Sequence, residues 1–216
     1  MSLRILVVDD HAVVRRGVRS LLESHEGWEV CGEATTGREA VELSRRLRPD
    51  VVVMDLSLPE LNGLDATRQI LKDAPDTEVL VLTMHHSEEL ARDVLQAGAR
   101  GYVLKSDADE NLITAVDSLR QHKPFLTSTV TEFVLDDYVR RGDGAPADVA
   151  SVAVTARERE IMQLVAEGRS NKEAASTLGI SVKTIEAHRA NIMRKLHLRS
   201  VSDLVRYAIR NKIVQP

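Results

Sequence analysis

Five positions in the first half of this 216-residue chain carry side chains suited to phosphate and divalent cations: Asp9, Asp10, Asp55, Thr83 and Lys105. Each stands at the end of a short apolar run. Arg4–Val8 leads into the acidic pair, the run Asp50–Asp55 (DVVVMD) closes on its own carboxylate, Glu78–Thr83 (EVLVLT) closes on the hydroxyl, and Gly101–Leu104 leads into Lys105. Carboxylates gathered in one place repel unless they share a cation, and oxygen donors of this kind suit a hard ion, Mg²⁺ first. A carboxylate beside Mg²⁺ and an ammonium can attack a phosphoryl group and become an acyl phosphate. Lys105 and the ion would neutralise the transferred oxygens, and Thr83 would donate a hydrogen bond to one of them. No Gly-rich loop ending in Lys-Ser/Thr is present, so a nucleotide is not expected as the phosphate source.

That chemistry requires the five positions to meet. The spacing predicts helices between the apolar runs: Ala12–Glu23 with Val14, Val18, Leu21 and Leu22 on one stripe; a helix capped by Thr36 and Glu39 and ending before Pro49; Leu64–Lys72; Glu88–Ala97 closed by Gly98; and a last one through Leu112, Ala115, Val116 and Leu119. Trp28–Ala34 is the second strand. Five β-α units predict an α/β doubly wound five-stranded parallel sheet, flavodoxin-like, of order 2-1-3-4-5. In that order strands one and three are neighbours at the switch point, where such sheets bind ligands beyond the carboxyl ends of their strands. Taken singly, the acidic pair is an ordinary helix start and Lys105 an ordinary surface charge; their convergence carries the argument.

Asp9-Asp10, Asp55, the Pro59–Gly63 spacing, Thr83, and Tyr102 three residues before Lys105 resemble the receiver domain of two-component response regulators, over about residues 1–125. The resemblance implies that Asp55 is the phosphoacceptor for a sensor histidine kinase. It implies Mg²⁺ held by Asp10, Asp55 and the backbone carbonyl of Ser57, with Asp9 acting indirectly, and Thr83 and Tyr102 as a switch pair. Ser57 and His85 resemble positions that tune the lifetime of the acyl phosphate, although His85 reads better as an ordinary loop histidine. Ser106 departs from the pattern, since many receivers have Pro there in a cis bond, and a cis Lys–Ser bond would be costly.

Charge divides the chain. Residues 1–150 hold 17 Lys and Arg against 27 Asp and Glu, a net of −10, while residues 151–216 hold 12 against 6, a net of +6. A basic module behind an acidic body points to nucleic acid. Between them, residues 126–150 read as a linker: a helix over Ser128–Arg141 with Val130, Phe133, Val134 and Tyr138 at helical spacing, then a hinge at Gly142–Ala147. The single cysteine, Cys31, reads as a small core residue in a reducing cytoplasm, and no run is long and apolar enough to span a membrane.

The basic part predicts a small all-α four-helix domain. Ser/Thr-x-x-Glu/Asp starts stand at Thr155, Ser170 and Ser200, Ser181 is a fourth cap, and Gly168 and Gly179 mark stops. Asn171–Leu178 and Val182–Leu196, joined by Gly179-Ile180-Ser181, have helix-turn-helix spacing. Ile185, Ile192 and Leu196 form the inward stripe of the longer helix. Its other face carries Lys183, Ala187, Ala190, Asn191 and Arg194, the small, polar and cationic mixture that major-groove entry needs.

From VTARERE through GRSNKEAASTLGISVKTIEAHRANIMRKL the module is similar to the LuxR-type helix-turn-helix. That likeness implies DNA contacts from Lys183, Thr184, Glu186, Ala187, Ala190 and Asn191, phosphate contacts from Lys195 and from the Ser170, Asn171 and Lys172 turn, and a dimerisation helix around Leu204 and Ala208. His188 reads as a partly buried helix histidine. Receiver (1–125), linker (126–150) and helix-turn-helix domain (151–216) together resemble the NarL/FixJ response regulators. The implied protein is a cytoplasmic, phosphorylation-regulated transcription factor in which phosphorylation promotes dimerisation or release of the DNA-binding domain, the paired domains reading two-fold DNA half-sites, with no turnover of an external substrate. Two alternatives are weaker. A Mg²⁺-dependent phosphatase with an aspartyl nucleophile wants a second acid where Ser57 stands, and a receiver used only for docking has no need of the Asp/Thr/Lys set.

Overall fold

The computed structural model describes residues 2–84, 87–127, 130–131 and 154–214. The expected linker helix, Val130 and Thr131 apart, and the hinge lie outside those residues, as does His85. The described residues belong to an α/β unit and an all-helical unit.

In the α/β unit, β1 (Leu3–Val8), β2 (Trp28–Ala34), β3 (Val51–Met54), β4 (Glu78–Thr83) and β5 (Gly101–Leu104) alternate with α1 (Ala12–Glu23), α2 (Gly37–Leu47), α3 (Gly63–Asp73), α4 (Glu88–Gln96) and α5 (Ala108–Arg120). A sixth strand, β6 (Phe125–Leu126), was not expected; it extends the sheet to the order β2-β1-β3-β4-β5-β6, all parallel. Two residues after Pro124 are too few to show any alternation. β3 and β4 are buried along their whole length, as strands covered on both faces must be. Ile5, Val7, Val51, Val53, Leu80, Leu82 and Val103 pack on one face against Val18 and Leu22 of α1 and Leu112, Ala115, Val116 and Leu119 of α5.

Register fixes where the chemistry falls. Val8 pairs with Met54 and Thr83 with Leu104, so Asp9, Asp55, Thr83 and Lys105 all stand at one edge. β1 and β2 slip by one residue between Ile5 and Leu6, leaving Cys31 as the extra residue of a bulge. Its thiol donates to the Ile5 carbonyl at 3.4 Å, and burial pushes its pKa up. It is half-buried rather than the core residue expected.

The helical unit comprises α6 (Ala156–Ala166), α7 (Asn171–Leu178), α8 (Val182–Lys195) and α9 (Val201–Arg210). All four caps read from the sequence are made, with reciprocal capping boxes at Thr155/Glu158 and Ser170/Glu173. Each such cap is worth about 1 kcal/mol, which matters in helices this short. Gly179 closes α7 at φ +62°, the left-handed conformation that lets the chain turn straight into Ser181 and α8. The core gathers Ile161, Met162, Leu164, Leu178, Ile185, Ile192 and Leu204. Among the described residues no helix is long and apolar enough to cross a membrane.

Candidate functional site

Asp9 and Asp55 end their strands almost completely buried, 2% exposed each, while Asp10 faces solvent. Lys105 bridges the two buried carboxylates, its Nζ 2.7 Å from Asp9 and 2.9 Å from Asp55. It begins a 3₁₀ turn (Lys105–Asp107) directly after β5, and no cis peptide occurs among the described residues, so Ser106 does not prevent Lys105 from reaching the pocket. Burial pushes the Asp55 pKa up, against Lys105 and the Ser57 backbone N–H that hold it down. Lys105 itself is raised: burial works the other way, but the two carboxylates outweigh it. The Leu56 N–H donates to Asp55 Oδ1 at 2.8 Å, fixing the carboxylate's orientation.

Ligand atoms of Asp9, Asp10, His11 and Asp55 lie within 4.8 Å of one another, a donor set of three carboxylates that fits a hard divalent cation. His11 was not read from the sequence as part of this group; its Nδ1 is 2.7 Å from Asp10 and its backbone N–H donates to Asp9 Oδ1 at 2.8 Å. Gly63 holds the loop after β3 closed. A Cβ there would fall 1.9 Å from the Asp55 carbonyl oxygen, and the Gly63 N–H donates to the Leu56 carbonyl at 3.0 Å. Only a residue without a side chain lets α3 start against the backbone that carries Asp55.

Thr83 is fully buried beside this edge. Tyr102 lies within β5, opposite Val81, with its ring buried; burial pushes its phenol up to about 12. The pocket thus collects carboxylates and an ammonium, with the buried Thr83 at the end of β4 and a buried aromatic on β5.

In the helical unit, Lys183, Thr184, Glu186, Ala187, Ala190 and Asn191 share the exposed face of α8, and Ile185 and Ile192 the buried one. Ser170 and Lys172 are exposed at the start of α7. Asn171 is half-buried, its Oδ1 accepting from Arg189, a residue the sequence reading passed over. Lys195 is engaged inside the unit, 2.8 Å from Glu158, whose pKa it lowers. His188 is partly buried as expected. Of the dimerisation positions, Leu204 and Ala208 are 1% and 0% exposed and pack in the unit's own core. The outward positions of α9 include Val201, Ser202 and Arg206.

A pocket of carboxylates and an ammonium at the edge of a doubly wound sheet, followed by a helix-turn-helix, is the layout of a two-domain signalling regulator. Residues 5–117 match the response regulator receiver domain, and residues 152–208 match the bacterial regulatory proteins of the luxR family. The chain is 40% identical over 217 residues to the oxygen regulatory protein NreC of Staphylococcus epidermidis, covering 99% of this chain and 100% of that one. NreC of Staphylococcus carnosus is also 40% identical, covering 98% of this chain and 99% of its own. Among solved structures, the complex of the two-component response regulator RcsB with DNA aligns with TM-score 0.59 at 27% identity, covering 96% of this chain and 98% of that chain. A LuxR-family two-component response regulator from Aurantimonas sp. SI85-9A1 aligns at 0.61 and 36%, covering 64% of this chain and 99% of its own. The chain belongs to the response regulators that join a receiver domain to a LuxR-type DNA-binding domain, and it is a phosphorylation-regulated regulator of transcription.

Proposed function

We propose that Asp55 accepts the phosphoryl group, and that residues 1–125 form the receiver, 126–150 the linker and 151–216 the DNA-binding domain. The observation that carries this reading is Lys105 held between Asp9 and Asp55 at 2.7 and 2.9 Å, beside a third carboxylate, Asp10. The donor is the phosphohistidine of a sensor histidine kinase. A carboxylate oxygen of Asp55 attacks phosphorus, the phosphorus–nitrogen bond breaks, and the mixed anhydride remains on the receiver. Asp10, Asp55 and the Ser57 carbonyl would hold Mg²⁺, with Asp9 acting indirectly, and the ion would supply charge neutralisation for the phosphoryl oxygens. Lys105 exchanges one carboxylate partner for a phosphoryl oxygen. Thr83 donates to another, and Tyr102 adjusts within β5. The added charge of about −1.5 to −2 biases a two-state receiver surface toward releasing or dimerising the DNA-binding domain.

The DNA-binding domains of the dimer then read two-fold half-sites, with Lys183, Thr184, Glu186, Ala187, Ala190 and Asn191 at base edges and Ser170, Asn171, Lys172 and Lys195 near phosphates. The protein acts in the cytoplasm and turns over no external substrate.

Intact mass after incubation with Mg²⁺ and acetyl phosphate tests the acceptor. One phosphoryl group is expected on the wild type and none on Asp55→Ala. Equal labelling of both, or of neither with a native kinase also failing, rejects Asp55.

A further inference from the structure

The β1–α1 turn presents Asp9 and Asp10 but is not held by the pocket alone. Arg15, in the first turn and a half of α1, folds back so that Nη1 donates to the Asp9 carbonyl at 2.8 Å, while its Nε donates to Glu33 on β2 at 2.9 Å. Glu33 also accepts from Arg19 Nη1 at 2.8 Å, and Arg19 Nε reaches Glu23 at 3.0 Å. Arg15 is 17% exposed, so this is a shielded contact rather than a loose surface pair. Burial works against the ionised form of Glu33, but Arg19 and Arg15 hold its carboxyl below the ordinary range.

The Asp9 carbonyl and the Asp10 N–H belong to one rigid peptide plane. The Asp9 N–H is already committed to Ala34 O on β2 at 3.1 Å. Fixing the carbonyl as well sets the plane from which the Asp10 side chain departs. We propose that Arg15, anchored by Glu33, is a positioning residue for the cation site, holding the Asp9–Asp10 peptide so that Asp10 faces Asp55. This rests on the reading of Asp10 and Asp55 as Mg²⁺ ligands given above.

Charge and position predict opposite signs, which makes the idea testable. Arg15 is a cation near the acidic group, so deleting its charge alone should tighten Mg²⁺ binding. Loss of positioning should weaken it, by about tenfold, as removal of groups that orient metal ligands commonly does. Mg²⁺ affinity is measured by isothermal titration on the full chain for the wild type, Arg15→Gln and Arg15→Lys, beside each protein's urea midpoint. The expected order is wild type tightest, Arg15→Lys intermediate because one donor survives, and Arg15→Gln weakest. Arg15→Gln binding Mg²⁺ as tightly as the wild type, or more tightly, overturns the proposal, even where its urea midpoint falls. If Arg15→Gln does not fold, Arg15→Lys decides: several-fold weaker binding supports positioning, and unchanged affinity rejects it. A wild type that takes up no Mg²⁺ overturns the cation site itself and the proposal with it, a failure distinct from the variant's.

Discussion

Replacing Gly63 with Ala should disable phosphorylation far more than it destabilises the receiver. The new methyl would start 1.9 Å from the Asp55 carbonyl oxygen and 2.8 Å from both the Asp55 carbonyl carbon and the Leu56 Cα. Backbone atoms cannot swing away as a side-chain end does, so the start of α3 and the end of β3 must part by about 1 Å. Overpacking of this kind costs about 1–3 kcal/mol. The same displacement moves Asp55 relative to Lys105 and Asp9, which now sit at ion-pair distance. A misplacement of about 1 Å can cost about a hundredfold in rate where geometry sets reactivity. The assay is the rate of phosphoryl transfer from acetyl phosphate, followed by intact mass, beside the urea midpoint of the same preparation. A variant that labels at the wild-type rate would refute the argument that this glycine exists to seat Asp55. So would one whose loss of rate is matched by global unfolding.

Lys105→Ala removes the cation between two buried carboxylates. A loss of roughly 3–5 kcal/mol at neutral pH is expected in denaturant melts, as for breaking a buried ion pair. The loss should shrink on acidification, because Asp55, already pushed up by burial, protonates more readily without its partner. Glu33 has a depressed folded-state pKa, so its contribution is present above the unfolded carboxylate value and fades as pH falls through the folded one. Glu33→Gln should therefore flatten the acid limb of the stability profile and leave the limb above neutrality parallel to the wild type. Leu204→Ala should lower the unfolding free energy of the helical unit by about 2–5 kcal/mol; a neutral effect on stability with a lost dimer would restore the interface reading that its burial denies.

Periodicity was a reliable guide to the elements, because apolar runs that end in charge leave little choice of strand or boundary. β4 (Glu78–Thr83) and α1 (Ala12–Glu23) fall where the pattern placed them. β3 is two residues shorter than the run DVVVMD, because its flanking aspartates do other work: Asp50 accepts from the Arg4 N–H, and Asp55 lies past the ladder. Position along the strands also brought Asp9, Asp55 and Lys105 together correctly. What no pattern carried was pairing between distant side chains. Arg15 with Glu33, Lys195 with Glu158 and Arg189 with Asn171 are separated by 18, 37 and 18 residues. For α9 the resemblance pointed to a helix and not to its outward side chains: Leu204 and Ala208 are the positions that meet the unit's own core.

The short strand β6 has a mechanical consequence. Its register sets Leu126 directly against Tyr102, and Phe125 against Gly101. Residue 126 is thus tied by a main-chain ladder to the strand that carries the buried tyrosine, at the border of the receiver. Main-chain pairing, rather than side-chain packing, therefore couples the position of residue 126 to that of β5. The edge strand β6 is in effect a handle, and its grip lies on the same rung as the ring.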